Sequence, residues 1–478
     1  MVHALYSRRV ITPQGEQDAA VVIDGERIAA IKPLTDLSLD IPVEDLGDLA
    51  LLPGLIDAHT HINEPGRTEW EGFATATRAA AAGGFTTVID MPLNCLPETT
   101  DVEALALKRE AAATGGPNGT NQCMVDYALW GGAVDGNQDC LEPLALAGVP
   151  GFKSFLIYPG CDGFTSIDRA NLELALPHIA RTGLPLLVHA ELAPSIDTAN
   201  AHLNATGADW RKYATYLDSR PDQAELEAIA LLLELCRKYR FKLHIVHLST
   251  AQALPMLRAA KVEGLPLTVE TCPHYLHLCA EEIPDGATLC KCAPPIRSAA
   301  NRELLWEALK DGTIDLIATD HSPCPPHMKR LAAFDDANAG APADSQTFGR
   351  FDLAWGGIAS LSTALPVLWT NCAERGITLP QLAQWTSAAP AALAGLSSQV
   401  GSIEVGKHAN FVAFDPEATF TVTPDVLHYR YPISPYMHTV LRGAVRSTWL
   451  RGTKIFDNQT FPTPAAGREY ALVGGVSR

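Results

Sequence analysis

Residues 51–68 read LLPGLIDAHTHINEPGRT, an apolar run that leads into two histidines spaced one residue apart. Successive side chains on a regular strand point to opposite faces, so Asp57, His59 and His61 are expected to project the same way. Two imidazoles side by side at a strand end can grip one metal ion, and the same pair can equally be a packed core feature. The rest of the chain has to weigh one reading against the other.

Downstream, apolar strands alternate with helical patterns. TTVIDMP (86–92) precedes VEALALKREAAA (102–113), and CMVDYALWG (123–131) follows. GFKSFLI (151–157) precedes LELALPHIART (172–182), and PLLVHAE (185–191) precedes AELEAIALLLELCRKY (224–239). KLHIVHLS (242–249) precedes ALPMLRAAKV (253–262), and LPLTVETCP (265–273) and DLIATDHS (315–322) complete the series. With the opening strand this gives eight candidate strands, the alternation of parallel βα units, and eight of them predict a closed (β/α)8 TIM-like barrel of α/β class. Both chain ends differ in character. RRVITP and AAVVIDGERIAAI, with the turn signal Asp24-Gly25, read as short strands, as do GSIEVGKHANFVAFDP and VLRGAVRSTWLRGTKIFD. The expected division is 1–50 and 400–478 as the two parts of one small β domain, with 51–399 as the barrel. Two long segments, 192–221 and 323–350, are expected to be mobile lid loops.

Composition narrows the partners. A length of 478 residues with 47% hydrophobic and 19% charged residues suits a large folded core, and a net charge of −18 argues against nucleic acid and anionic membrane as partners. A small molecule is the expected partner. The N-terminus lacks the apolar segment of a secretory signal and no run is long enough for a membrane span, so a cytoplasmic location is expected. Eleven cysteines without a CxxC pair suit reduced buried thiols, and the CxC of Cys290 and Cys292 has no second pair with which to hold a metal.

Barrel enzymes carry their sites at the C-terminal ends of the strands. There the sequence places His59 and His61, then Lys153, His189, His247 and Asp320. Four histidines and an aspartate exceed what one catalytic zinc ordinarily takes, which suggests two ions. Lys153 has no lone pair while protonated, and by itself reads as a salt-bridge residue. In KLHIVHLS only one of His244 and His247 is expected to face inward, and the strand end favours His247. His321 is expected to point away from Asp320, and His274 and His277 stay open as pocket residues.

The words DAHTH, GFKSF, LVHAE, HIVHLS and ATDHS resemble the amidohydrolase superfamily, within it the cyclic amidohydrolases with a carboxylated lysine. The flanking words HINEPGRTEWEGF, MPLN, ETCPHYL, KCAPPIR and TDHSPC are similar to the allantoinase family, over essentially the whole chain. The resemblance implies that His59, His61, Lys153, His189, His247 and Asp320 fill six metal-site positions. Lys153 would carry CO2 as a carbamate bridging two divalent ions, zinc foremost, with cobalt, iron or manganese as alternatives. It implies hydrolysis of the ring amide of allantoin to allantoate, with Asp320 as general base, and a homo-oligomer, a tetramer. Dihydroorotases of this layout carry an arginine two residues after the second histidine, where this chain has Asn63; a neutral amide does not compensate a carboxylate, so an uncharged cyclic ureide fits better. Asn94, Cys292 and Ser322 are the other expected substrate contacts. Arg67 could still meet a carboxylate, or brace its loop through Glu64, Glu69 or Glu71. The alternatives are a dihydropyrimidinase or hydantoinase, a dihydroorotase, and a scaffold protein that keeps the fold without activity, whose mark would be a missing ligand.

Overall fold

The structure is a computed structural model that describes residues 2–161, 163–331, 345–473 and 476–477. Its centre is a closed ring of eight parallel strands. They are Leu55–Thr60, Phe85–Asp90, Asp126–Leu129 continued by Gly131–Gly132, Phe152–Phe155, Pro185–His189, Lys242–Ile245, Leu267–Thr271 and Leu316–Ile317. Each pairs in parallel with the next. A bridge from Thr60 to His321 closes the ring, and the His61 backbone N–H donates to the His321 carbonyl at 2.8 Å.

Long helices between the strands bury an apolar stripe against them. In Asp222–Tyr239, Ala224, Ala228, Ile229, Leu232, Leu233, Leu235 and Cys236 are buried, a 3.6-residue periodicity that turns one face to the strands. Each fully buried aliphatic side chain contributes about 1.5–3 kcal/mol. Asp101 and Asp168 accept backbone N–H groups at the starts of Val102–Thr114 and Arg169–Thr182, as their short acceptors favour.

A second, mixed sheet is built from both chain ends. Its order is Thr453–Asp457, Val440–Leu450, Phe411–Thr421, Ala50–Pro53, His3–Thr12, Gly15–Asp24, Arg27–Lys32, with Val43–Asp45 also on His3–Thr12. The turn expected at Asp24-Gly25 joins Gly15–Asp24 to Arg27–Lys32, with Asp24 opposite Arg27. The opening apolar run is therefore two strands. Ala50–Pro53 pairs with Phe411–Thr421 in the sheet of the ends, and Leu55–Thr60 starts the barrel. Gly54 stands between them, where a Cβ would collide with the Thr86 side chain, so only glycine lets the chain pass from one sheet to the other. The buried Arg451 guanidinium pairs with Asp126 across the seam, and Asp126 also accepts the Arg468 N–H at 2.8 Å.

The segment 192–221 is not a loose loop. It folds into helices Ala193–Ala205 and Tyr213–Ser219, and the second buries Tyr213 and Tyr216 against the carbonyls of Ile296 and Cys292. Of the other expected lid, residues 332–344 lie outside the described residues, and the part before them is pinned. The Lys329 ammonium is buried and donates to the carbonyls of Gly357, Trp355 (3.0 Å) and Lys291 (3.2 Å). Among the described residues no helix is long and apolar enough to cross a membrane.

Candidate metal centre

His59 ends the first barrel strand, His61 follows it, and Asp320 follows the eighth. The Nε2 atoms of both histidines lie 3.3 Å from Asp320 Oδ1. Among the described residues these three form the one group of metal-ligating side chains whose ligand atoms lie within 4.8 Å of one another. His247 stands beside them, with ring centroids 5.4 Å from His59 and 4.6 Å from His189, and Phe155 stacks on His189 at 4.6 Å. Burial pushes His61 down to about 4 and carries His189 and His247 below their ordinary value. The rings are thus neutral, with the lone pairs that a metal needs. Burial would raise the Asp320 carboxyl, but His59 and His61 outweigh it and hold it well below the usual carboxylate range.

Lys153, on the fourth strand, is fully buried and its Nζ has no hydrogen-bond partner. It lies 4.5 Å from the centre of the Phe155 ring, and burial lowers it to about 7. The salt-bridge reading of this residue is overturned by that missing partner. Asp57 does not join the cluster, although parity placed it on the face of His59. It accepts from the Thr319 hydroxyl and N–H (2.9 Å) and from the Thr60 hydroxyl (2.9 Å), tying the first strand to the eighth. The register shifts between Asp57 and Thr60, which breaks the parity on which that expectation rests.

Two carboxylates unforeseen from the sequence hold the histidines. Glu270 accepts from His59 Nδ1 at 2.5 Å, meets His244 Nε2 at 3.0 Å and accepts the His247 backbone N–H at 3.1 Å. The His244 ring thus pairs with Glu270, whereas His247, past the strand end, lines the cavity. Glu191 receives His189 Nε2 at 2.7 Å and the Arg220 guanidinium. Glu191 lies two residues past the strand end at His189, where alternation gives no direction. A bound carboxylate fixes which ring nitrogen carries the proton and leaves the other for a metal.

The cluster opens into a cavity of about 700 Å³, lined also by Leu93, Tyr158, Arg220, Lys291 and Trp355. Of the expected substrate contacts, Asn94 and Ser322 line it. The Asn94 amide lies 3.3 Å from His61 Nδ1, and the Ser322 hydroxyl donates to Asp320 Oδ1 at 3.1 Å. Asn63 and Cys292 are not among the residues that line the cavity, although Lys291 and Ala293 on either side of Cys292 are. Asn63 has a positive φ of 69° and turns its amide toward the Pro323 carbonyl at 3.5 Å, while the Cys292 carbonyl accepts from the Tyr216 hydroxyl at 2.6 Å. Arg67 lies over the Trp70 ring at 5.2 Å. Glu64 instead receives the Phe73 N–H (2.8 Å), and Glu71 the Arg430 backbone. His277 accepts from the Asn371 amide at 2.8 Å, and the buried ring nitrogens of His274 have no hydrogen-bond partner. The His321 ring turns away from Asp320 as expected, its Nδ1 accepting the Ser360 N–H at 3.0 Å.

Residues 50–455 match the model of the amidohydrolase family. The chain belongs to the amidohydrolase family. This amidohydrolase is 46% identical to an allantoinase of Streptomyces avermitilis, with 96% of each chain covered, and 42% identical to an allantoinase of Arabidopsis thaliana over 96% of this chain and 89% of that one. In structure it is similar to the L-hydantoinase (dihydropyrimidinase) of Arthrobacter aurescens, with a TM-score of 0.89 at 27% identity over 98% of this chain and 99% of that one. The dihydropyrimidinase of Brevibacillus agri NCHU1002 is similar too, with a TM-score of 0.85 at 28% identity over 99% of each chain.

Proposed function

We propose that this amidohydrolase opens the hydantoin ring of allantoin to give allantoate at a centre of two divalent ions, zinc foremost, bridged by a carboxylated Lys153. The observation that carries the reading is the Lys153 amine, buried and unpartnered among four histidines and an aspartate. A neutral amine attacks CO2 through its lone pair and gives up one N–H proton to solvent, and the carbamate formed would supply oxygen ligands where the free amine satisfies nothing. His59, His61 and Asp320 would hold one ion, with His189 and His247 on the other; the buried His247 Nδ1, which also lacks a partner, suits that assignment. When bound, such ions acidify water and polarise the carbonyl to be cleaved.

Asp320 is the general base. It is ionised at neutral pH, so its carboxylate takes a proton from the attacking water and returns it to the departing ring nitrogen. A positioned shuttle of this kind contributes about 10²–10⁴-fold. Ser322, donating to Oδ1, holds that carboxylate in place. Leu93, Phe155 and Trp355 give the cavity apolar walls.

The substrate assignment draws on the allantoinase relatives, and the hydantoinase neighbours supply the second reading. A panel of allantoin, hydantoin, dihydrouracil and dihydroorotate, offered to metal-replete protein at neutral pH, separates them. Allantoin is expected to turn over fastest. Turnover chiefly of hydantoin or dihydrouracil would replace the first reading by the second.

A further inference from the structure

Arg220 follows helix Tyr213–Ser219, inside the segment that the sequence presents as a loop. Its guanidinium presents two edges to different surroundings. Nε donates to Glu191 Oε1 at 3.0 Å and Nη2 to Glu191 Oε2 at 2.5 Å, a bidentate pair. The same Oε2 receives His189 Nε2 at 2.7 Å. Arg220 also lines the cavity, with its side chain 20% exposed. Of its five N–H donors, the bidentate pair uses two.

The other cationic groups of the cavity are committed differently. Lys291 donates its Nζ to the Ala354 carbonyl at 2.6 Å, and Arg330 donates Nε to the Leu353 carbonyl at 3.2 Å. Neither bond leads to a histidine of the cluster, whereas Arg220 is one carboxylate removed from His189. Arg220 thus shares the cavity with the cluster yet lies two hydrogen bonds from His189, so a ring at the cluster and its substituent can be held by different groups. In allantoin that substituent is a ureido group, whose carbonyl accepts hydrogen bonds and which unsubstituted hydantoin lacks.

Building on the proposed function, we infer that Arg220 is a positioning and specificity residue: one edge holds His189 through Glu191, and the other receives the ureido carbonyl of the substrate. The insertion 192–221 thereby ties recognition of the substituent to the geometry of a metal-site histidine. Arg297 anchors this segment from behind, donating to the Arg220 carbonyl at 3.5 Å and pairing with Glu225 at 2.7 Å.

Two variants test the two edges. Arg220→Lys keeps a cation against Glu191 but loses the fork, so zinc affinity, measured on metal-free protein by chelator competition, stays near wild type. Its KM for allantoin rises about tenfold to a hundredfold, a larger factor than its KM for hydantoin. Arg220→Met frees the Glu191–His189 pair and weakens zinc binding about 10–100-fold. The double variant Glu191→Gln, Arg220→Met removes the buried charge with its partner, keeps the chain folded, and shows the same loss of zinc affinity. Equal losses on allantoin and hydantoin in Arg220→Lys overturn the recognition edge. Unchanged zinc affinity in folded Arg220→Met overturns the positioning edge. Wild-type protein inert toward allantoin sinks the proposed function instead, and the zinc arm still decides the link from Arg220 to His189 by itself.

Discussion

Lys108 and Lys153 are equally buried, each fully withdrawn from solvent, yet the two regions around them treat the amine in opposite ways. Lys108 rises from helix Val102–Thr114 to the end of the second barrel strand. There it meets Asp90 at 2.5 Å and donates to the Met91 carbonyl at 2.7 Å. Burial opposes its charge, but Asp90 outweighs burial and holds the ammonium above its ordinary value. Asp90 in turn accepts the Ile62 N–H at 2.8 Å, so the pair braces the turn that follows His61. At Lys153 burial outweighs the opposing pull of Glu270 and Asp320, and the amine falls to about 7. A buried amine that the fold satisfies braces structure, whereas one that it leaves bare is a candidate for chemistry.

The strongest way to break this contrast is Lys153→Ala. Activity is expected to be abolished and half or more of the bound metal lost, with partial rescue by short-chain carboxylic acids standing in for the carbamate. Full metal and full rate in that variant would remove the carbamate from the account. Next in size is Lys108→Met, which leaves Asp90 buried and unpaired. Urea denaturation should show a loss of about 3–5 kcal/mol, while the folded fraction keeps its metal. If metal is lost at unchanged stability, Lys108 is not the structural member of the pair.

Glu270→Gln sharpens the comparison by leaving both lysines in place and altering only what orients His59. Zinc affinity is expected to fall about 10–100-fold. Stability of the metal-free protein should change much less, because the amide still fills the same space between His59 and His244.

The smallest effect is a slope with pH. The folded value of Lys153, about 7, lies below the ordinary 10.5 of an exposed lysine. Between those values the unfolded chain binds the extra proton, so stability rises with pH across that window, by at most about 1.4 kcal/mol per unit. Metal-free, CO2-free wild type minus Lys153→Met isolates this from Lys291, which burial also lowers to about 7. A flat difference between pH 7 and 10 would contradict the lowered amine.

Much of this molecule was legible in its sequence because periodicity is local. Strand runs of four to six residues and helical stripes such as that of Asp222–Tyr239 announce themselves within a short window. What escaped was non-local or weakly patterned. Helix Ala193–Ala205 buries only Ile196, so it carries no apolar stripe to distinguish it from a loop. Asn63 lies beyond the end of its strand in a left-handed conformation, where alternation no longer says which way a side chain turns.

By itself, the sequence determined the eight-stranded parallel barrel, the sheet shared by the two chain ends, and the set of imidazole, carboxylate and amine groups at the strand ends. These follow from side-chain type and spacing, which are properties of neighbours along the chain. Only the tertiary structure decided what each group does. Glu270 meets His59 across 211 residues, Arg220 meets Glu191 across 29, and Lys153 meets no acceptor at all. Protonation and tautomer depend on the field and the hydrogen bonds at a point in space, and barrel closure sets which groups meet there.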